Sequence, residues 1–99
     1  MTFKEFIDKK IEYYNNALEI NFEYYDRLRY KGVLETLSEV SEDSTIEELK
    51  NMLSKYTEQL ENYTGQFFSE YHSTLSDRKR IVKELIKFKE GADNNVDMC

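Results

Sequence analysis

The chain has 99 residues, enough for one modest hydrophobic core, and its 39% hydrophobic content excludes the composition typical of a disordered protein. Twenty acidic side chains stand against fourteen basic ones, and the net charge of −6 opposes general binding to nucleic acid or to an anionic membrane. With no proline and three glycines, the sequence predicts long helices joined by few loops.

The first helix is predicted over about residues 2–31, because Thr2 and Glu5 have the spacing of a capping box at its start. Apolar side chains recur along one side of it: Phe3, Ile7, Ile11, Tyr14, Leu18, Tyr25 and Leu28. A second apolar strip lies beside the first: Phe6, Tyr13, Ala17, Ile20 and Tyr24. The apolar side is therefore wider than packing against one neighbouring helix requires.

Asn21 interrupts the first strip, and two interpretations stay open. An amide in a helix seam can fix the register through its hydrogen bond; alternatively, Phe22 turns inward and Asn21 lies at the edge. Gly32 is predicted to break the helix, because the apolar residues after it occupy a different angular position. A short connector helix is expected over 33–40.

The polar segment 41–45 is the predicted linker, and residues 44–47 have the composition of a second capping box. A second main helix follows over about 45–73. Its apolar seam alternates at three and four residues: Ile46, Leu49, Leu53, Tyr56, Leu60, Tyr63 and Phe67. A break is predicted near 73–76, where poor helix formers cluster, although the unbroken phase of the seam also allows one continuous helix.

The last helix is expected over 77–90, with Gly91 as its terminator and 92–99 as a flexible tail. The predicted architecture is an all-α helical bundle, or antiparallel coiled-coil-like hairpin. It has three main helices and the connector in a single domain, 1–91.

Residues that carry catalysis or bind metals are scarce. His72 is the only histidine and Cys99 the only cysteine, so a Cys/His pair needs the chain terminus and no metal-ligand spacing is met. We therefore expect a protein that is not an enzyme and uses no cofactor or metal. Charged residues also interrupt the first segment of the chain where a signal peptide has its apolar region, so a cytoplasmic location is expected.

The stretch 23–32 concentrates tyrosine and arginine, the residues enriched at the centres of protein interfaces. On a continuous helix Tyr24 lies in the second strip, Arg27 flanks it, and Tyr30 points nearly opposite the core side. These three residues are the predicted partner contacts, with Asp43 and Glu47 as charged elements that select the partner.

The excess apolar surface favours binding to another protein, as a homodimer or a hetero-complex, and the small size favours a regulator or inhibitor. The richness in Lys, Glu, Asn, Tyr and Ile is typical of AT-rich bacterial or phage genomes, so a phage or mobile element is the expected source.

Two alternatives involve nucleic acid. In one, an acidic cluster mimics nucleic acid and blocks a DNA-binding enzyme: Glu39, Glu42, Asp43, Glu47 and Glu48. In the other, the basic last helix binds nucleic acid directly, through Arg80, Lys83 and Lys87, but the net charge disfavours this hypothesis.

Overall fold

A computed structural model describes residues 1–64 and 70–93, and in this part the chain forms four helices and no strand. They are α1 (Phe3–Ile20), α2 (Tyr24–Ser38), α3 (Ile46–Glu61) and α4 (Glu70–Asp93). The helices pack against each other, which confirms the all-α bundle. The predicted seam residue Phe67 and the tail beyond residue 93 lie outside the described residues.

The first break lies earlier than predicted. Helix α1 ends at Ile20 and α2 begins at Tyr24, so the expected continuous helix over 2–31 is wrong, and Gly32 lies inside α2. The predicted connector 33–40 corresponds to the second half of α2. Asn21, the residue that interrupts the strip, has an extended backbone at the end of α1, so neither interpretation of it as a helical residue holds.

Capping explains where α1 and α3 start. The hydroxyl of Thr2 accepts from the Glu5 amide at 3.1 Å and the Glu5 carboxylate accepts from the Thr2 amide at 3.0 Å, as predicted. At α3 the capping box lies one residue later than the predicted one, because Thr45 caps the helix and Glu48 reaches back to it. Ser44 instead accepts from the Ser41 amide at 3.0 Å and closes the linker.

The predicted helix over 45–73 is wrong, because α3 ends at Glu61 and the next helix begins at Glu70. The predicted break near 73–76 is also wrong, because α4 continues through it and through Gly91 to Asp93. The polar side chains at its start bond to α2, which removes their competition for the α4 backbone. The Ser73 hydroxyl hydrogen-bonds to the Tyr25 hydroxyl, and the Asp77 carboxylate accepts two hydrogen bonds from Arg29 at 2.6 and 3.0 Å. Tertiary contacts therefore outweigh weak local propensity here.

The core lies around α4, which packs against α2 and α3. Its buried side chains come from all four helices and the linker: Ile7, Tyr14, Val33, Leu37, Val40, Leu49, Tyr56, Leu75, Ile81, Val82, Leu85 and Ile86. Helix α1 packs mainly on α2 and less on α4, and no Cα atoms of the described residues of α1 and α3 lie within 8 Å of each other. One side of α1 is thus left without a helical neighbour.

Gly32 lets α2 approach α4 closely. A Cβ atom at this position would lie 2.4 Å from the Thr74 Cγ2 atom, far inside van der Waals contact. Threonine is stiff about χ1 in a helix, so its methyl group cannot move away without a cost. The glycine predicted as a helix breaker is instead a packing residue.

Gly32→Ala should lower the free energy of unfolding by about 1–2 kcal/mol, because the clash outweighs the gain of about 1 kcal/mol in helix propensity. Gly91→Ala is the matched control, since no described atom lies within 4 Å of its added Cβ, and it should leave stability equal or slightly raised. Urea denaturation measures both variants. Adding Thr74→Ser to Gly32→Ala should restore most of the loss, and a Gly32→Ala variant as stable as the wild type would contradict the close approach.

Candidate functional site

The second apolar strip of α1 is only partly covered in the fold. We call Phe6, Tyr13, Ala17 and Ile20 the α1 strip; they share one side of the helix at spacings of three, four and seven residues. Tyr13 is 64% exposed and Ile20 is 79% exposed, whereas Phe6 and Ala17 are half-buried. The wide apolar side predicted from the sequence is therefore present, and part of it faces solvent.

The turn between α1 and α2 continues this surface. Phe22 is 87% exposed and Tyr24 is 70% exposed, so three large apolar side chains project from five consecutive residues. We call Ile20, Phe22 and Tyr24 the apolar corner. Surface hydrophobic residues scattered singly are common, whereas a cluster is typical of an interaction site.

Side-chain hydrogen bonds hold the corner in one conformation. The Arg27 guanidinium donates to the carbonyl of Leu18, and to that of Asn21 at 3.1 Å, which satisfies backbone groups at the end of α1. The Asn21 side chain accepts from the Glu23 amide at 2.9 Å and donates to the Asp26 carboxylate at 3.2 Å. This Asx-type turn presents the apolar corner on an ordered backbone.

A groove of about 690 Å³ runs beside the α1 strip, between α1 and α4. The rings of Phe6 and Phe88 stack across it with centroids 4.5 Å apart, and such large side chains hold the two helices apart. Further along, Tyr13 meets the buried ring of Tyr14 edge-on at 5.1 Å. Burial raises the pKa of the Tyr14 phenol, so it stays neutral, and its oxygen accepts from Arg80 at 3.0 Å.

The groove is basic although the chain is acidic. Lys9, Lys10 and Arg80 line it, and Glu84 is its one described carboxylate. The Lys10 ammonium lies 3.5 Å from Glu84, so these two charges largely offset each other. Arg80 approaches a carboxylate, that of Asp77, only at 4.0 Å, and Asp77 is already bonded to Arg29.

The three predicted contact residues on α2 do not share one surface. Tyr24 lies in the apolar corner, whereas Arg27 lies behind it and bonds to the turn. The orientation predicted for Tyr30 is wrong, because its ring packs partly buried against the core, 5.8 Å from the Tyr14 ring. The reason is the break after Ile20, which gives α2 an axis of its own.

Asp43 and Glu47 are both exposed, but they follow the far end of α2. That helix has 15 residues and is about 22 Å long, so the structure does not bring these acids together with Tyr24. Sequence reasoning missed Phe22 as a surface residue. The sequence did contain one signal for the turn that exposes Phe22, because Asn21 interrupts an apolar strip and asparagine favours Asx turns.

The two charged clusters of the nucleic-acid alternatives are partly used by the fold. In the acidic cluster, the Glu48 carboxylate accepts from the Thr45 amide at 3.4 Å, and the Glu39 carboxylate accepts from the Tyr56 hydroxyl at 3.4 Å. In the basic helix, Lys83 and Lys87 are exposed, and the neighbouring Arg78 pairs with Glu35 at 2.5 Å.

The described residues contain no group of three metal-ligating side chains, and none of the described helices has the length and apolarity needed to cross a membrane. Comparison with protein-family models, curated proteins and solved structures finds no match.

Arg27→Ala should loosen the apolar corner without removing any of its three side chains. The loss of two charge-assisted hydrogen bonds should lower the free energy of unfolding by about 1–2 kcal/mol and speed amide exchange at Glu23. Lys31→Ala is the control, an exposed cation on the same helix, and should change stability by less than about 0.5 kcal/mol. Unchanged exchange at Glu23 in Arg27→Ala would show that the guanidinium does not hold the turn.

Tyr30 and Tyr24 should respond oppositely to truncation. Tyr30→Ala removes a ring packed on Tyr14 and should destabilise the fold by about 1–2 kcal/mol. Tyr24→Ala removes a ring that is 70% exposed and should leave stability within about 0.5 kcal/mol of the wild type. Thermal and urea unfolding followed by circular dichroism distinguish the two. Equal stability of both variants would refute the packing described for Tyr30.

Proposed function

We propose that this chain is a protein-binding module that docks the apolar corner and the α1 strip onto another protein, either a second copy or a different chain. The observation that carries the proposal is Phe22, which is 87% exposed on a turn held by side-chain hydrogen bonds. Large apolar side chains that remain outside the core lower the free energy only when a partner covers them.

The energetics of the corner suit a binding hot spot. Full burial of one such side chain stabilises a complex by about 1.5–3 kcal/mol, and hot spots consist of a few clustered side chains of this kind. Because the hydrogen bonds of Arg27 and Asn21 already order the turn, little backbone entropy is lost on binding. The affinity for a partner therefore comes both from the apolar area buried and from the turn being ordered before binding.

The corner is too small to form a stable interface alone. An aromatic side chain buries about 150–250 Å², so three large side chains supply clearly less than the roughly 800 Å² that each partner of a standard complex contributes. The α1 strip continues the surface from Ile20 back to Tyr13 and Phe6, and both parts together fit an interface of standard size. A protruding corner beside a strip suits a regulator or inhibitor that occupies a cleft on a larger protein.

Two measurements test association: the mass of the purified protein by size-exclusion chromatography with light scattering, and affinity capture from a lysate of the source organism. The test variant is Ile20→Ser/Phe22→Ser/Tyr24→Ser. It should keep its helical content and lose self-association or the captured protein, because only exposed side chains change.

The control variant is Asn51→Ser/Lys55→Ser/Glu58→Ser, which changes one exposed side of α3 and should behave as the wild type. A monomeric wild-type protein that captures nothing would overturn the proposal. So would a corner variant that associates as tightly as the wild type.

A further inference from the structure

We propose that the groove between α1 and α4 binds an acidic amphipathic helix of the partner. In this arrangement the apolar side of the helix lies on the α1 strip and its carboxylates face Lys9, Arg80 and Lys87. The inference rests on the proposed function, because Phe6 and Tyr13 belong both to the α1 strip and to the groove wall. It specifies that the bound segment of the partner is acidic and helical, which the exposure of the apolar corner does not.

The first argument is charge complementarity. Among the described residues, Lys9, Lys83 and Lys87 form no ion pair within 4.0 Å, and the long contact of Arg80 to Asp77 is shared with Arg29. Lys83 and Lys87 follow Arg80 by three and seven residues, so they lie on the same exposed side of α4. In a chain of net charge −6, this concentration of available cations selects an acidic ligand.

The second argument is shape. Phe6, Tyr13 and Ile20 lie at seven-residue intervals on α1, and the fourteen steps from the first to the last correspond to about 21 Å along the helix axis. An amphipathic helix places apolar side chains at three- and four-residue spacings along such a surface, which is a recurrent way to recognise a helical segment. Phe6 and Tyr13 also line the groove of about 690 Å³, which holds that part of the bound helix between α1 and α4, and Ile20 lies beyond the groove.

The aromatic rings of the groove disfavour single-stranded nucleic acid as the ligand. Bases stack on free ring faces, but Phe6 stacks against Phe88 at 4.5 Å and the Tyr14 ring is buried. Tyr13 is the exposed ring of this groove, so it offers one free face for stacking rather than a series of them. A bilayer is disfavoured by the concave shape, because a flat surface does not enter a groove.

The expected roles of the two surfaces differ. Exposed ion pairs add little affinity each but speed encounter and exclude partners of the wrong charge, so the cations should select the ligand. The apolar strip should supply most of the affinity. Raising the salt concentration should therefore weaken binding without abolishing it.

The assay uses fluorescently labelled synthetic peptides of equal length and anisotropy as the readout. The first peptide is an amphipathic helix with leucine and phenylalanine on one side and glutamate elsewhere. The second replaces each glutamate by lysine, and the third scrambles the acidic sequence so that no apolar side remains. The first should bind at least about tenfold more tightly than either of the others.

The charge test compares Lys9→Glu/Lys87→Glu with Lys31→Glu/Lys55→Glu. Both double variants change the net charge equally, and all four lysines are exposed. Lys9 lines the groove and Lys87 lies next to its lining residue Phe88 on α4, whereas Lys31 and Lys55 lie on α2 and α3 and do not line it. The first variant should lose about tenfold or more in affinity for the acidic helix at low salt, and the second much less.

The outcomes separate this inference from the proposed function. No binding of the acidic helix, equal binding by the two charge variants, or preferred binding of labelled single-stranded DNA or of phosphatidylserine-containing vesicles would overturn the groove assignment. If the apolar-corner variant still loses its partner in that case, the protein-binding function stands and only the acidic-helix ligand is wrong. If neither surface binds anything, both proposals fail.

Discussion

The hydrogen bonds of Arg27 to the end of α1 are the constraint on which the exposed surface depends. By occupying the carbonyls of Leu18 and Asn21, the guanidinium ends the helix two residues before Phe22 and lets α2 start in a new direction. One apolar strip of α1 then packs on α2, and the other is covered only at Phe6, by Phe88 of α4, and in part at Ala17. The position of this turn therefore decides which rings are core and which are surface.

The contact between α2 and α4 provides the rigid frame behind that surface. Arg29 binds the largely buried Asp77 with two hydrogen bonds, and this partner raises the pKa of the guanidinium further above its ordinary value. Gly32 allows the two backbones to approach at Thr74. Since breaking a largely buried ion pair leaves a charge without its partner, the frame resists rearrangement. The apolar corner is thus attached to a frame formed by α2 and α4.

Much of the fold could be predicted from the sequence, because it depends on local signals. The scarcity of glycine and proline led to the all-α bundle, and the Thr2–Glu5 capping box and the α3 seam led to the starts of α1 and α3. The helix breaks could not be placed from the sequence. Gly32 and residues 73–76 were predicted as breaks but lie inside helices, because contacts between α2 and α4 stabilise them there, and these contacts join residues that are distant in sequence. The exposed part of the α1 strip was predictable, because the apolar side of the helix is wider than one neighbour can cover. The exposure of Phe22 depends on a hydrogen-bonded turn, and the only sign of that turn in the sequence is Asn21.

A photo-crosslinking experiment tests the central claim most directly, namely that the apolar corner is where this protein meets its partner. Phe22 is replaced by a photoreactive phenylalanine analogue in the source organism, and Glu58 on the exposed side of α3 is replaced by the same analogue for comparison. The account predicts a discrete crosslinked species of higher mass from position 22 and none from position 58. Absence of any crosslink at position 22, or equal crosslinking from both positions, would contradict it.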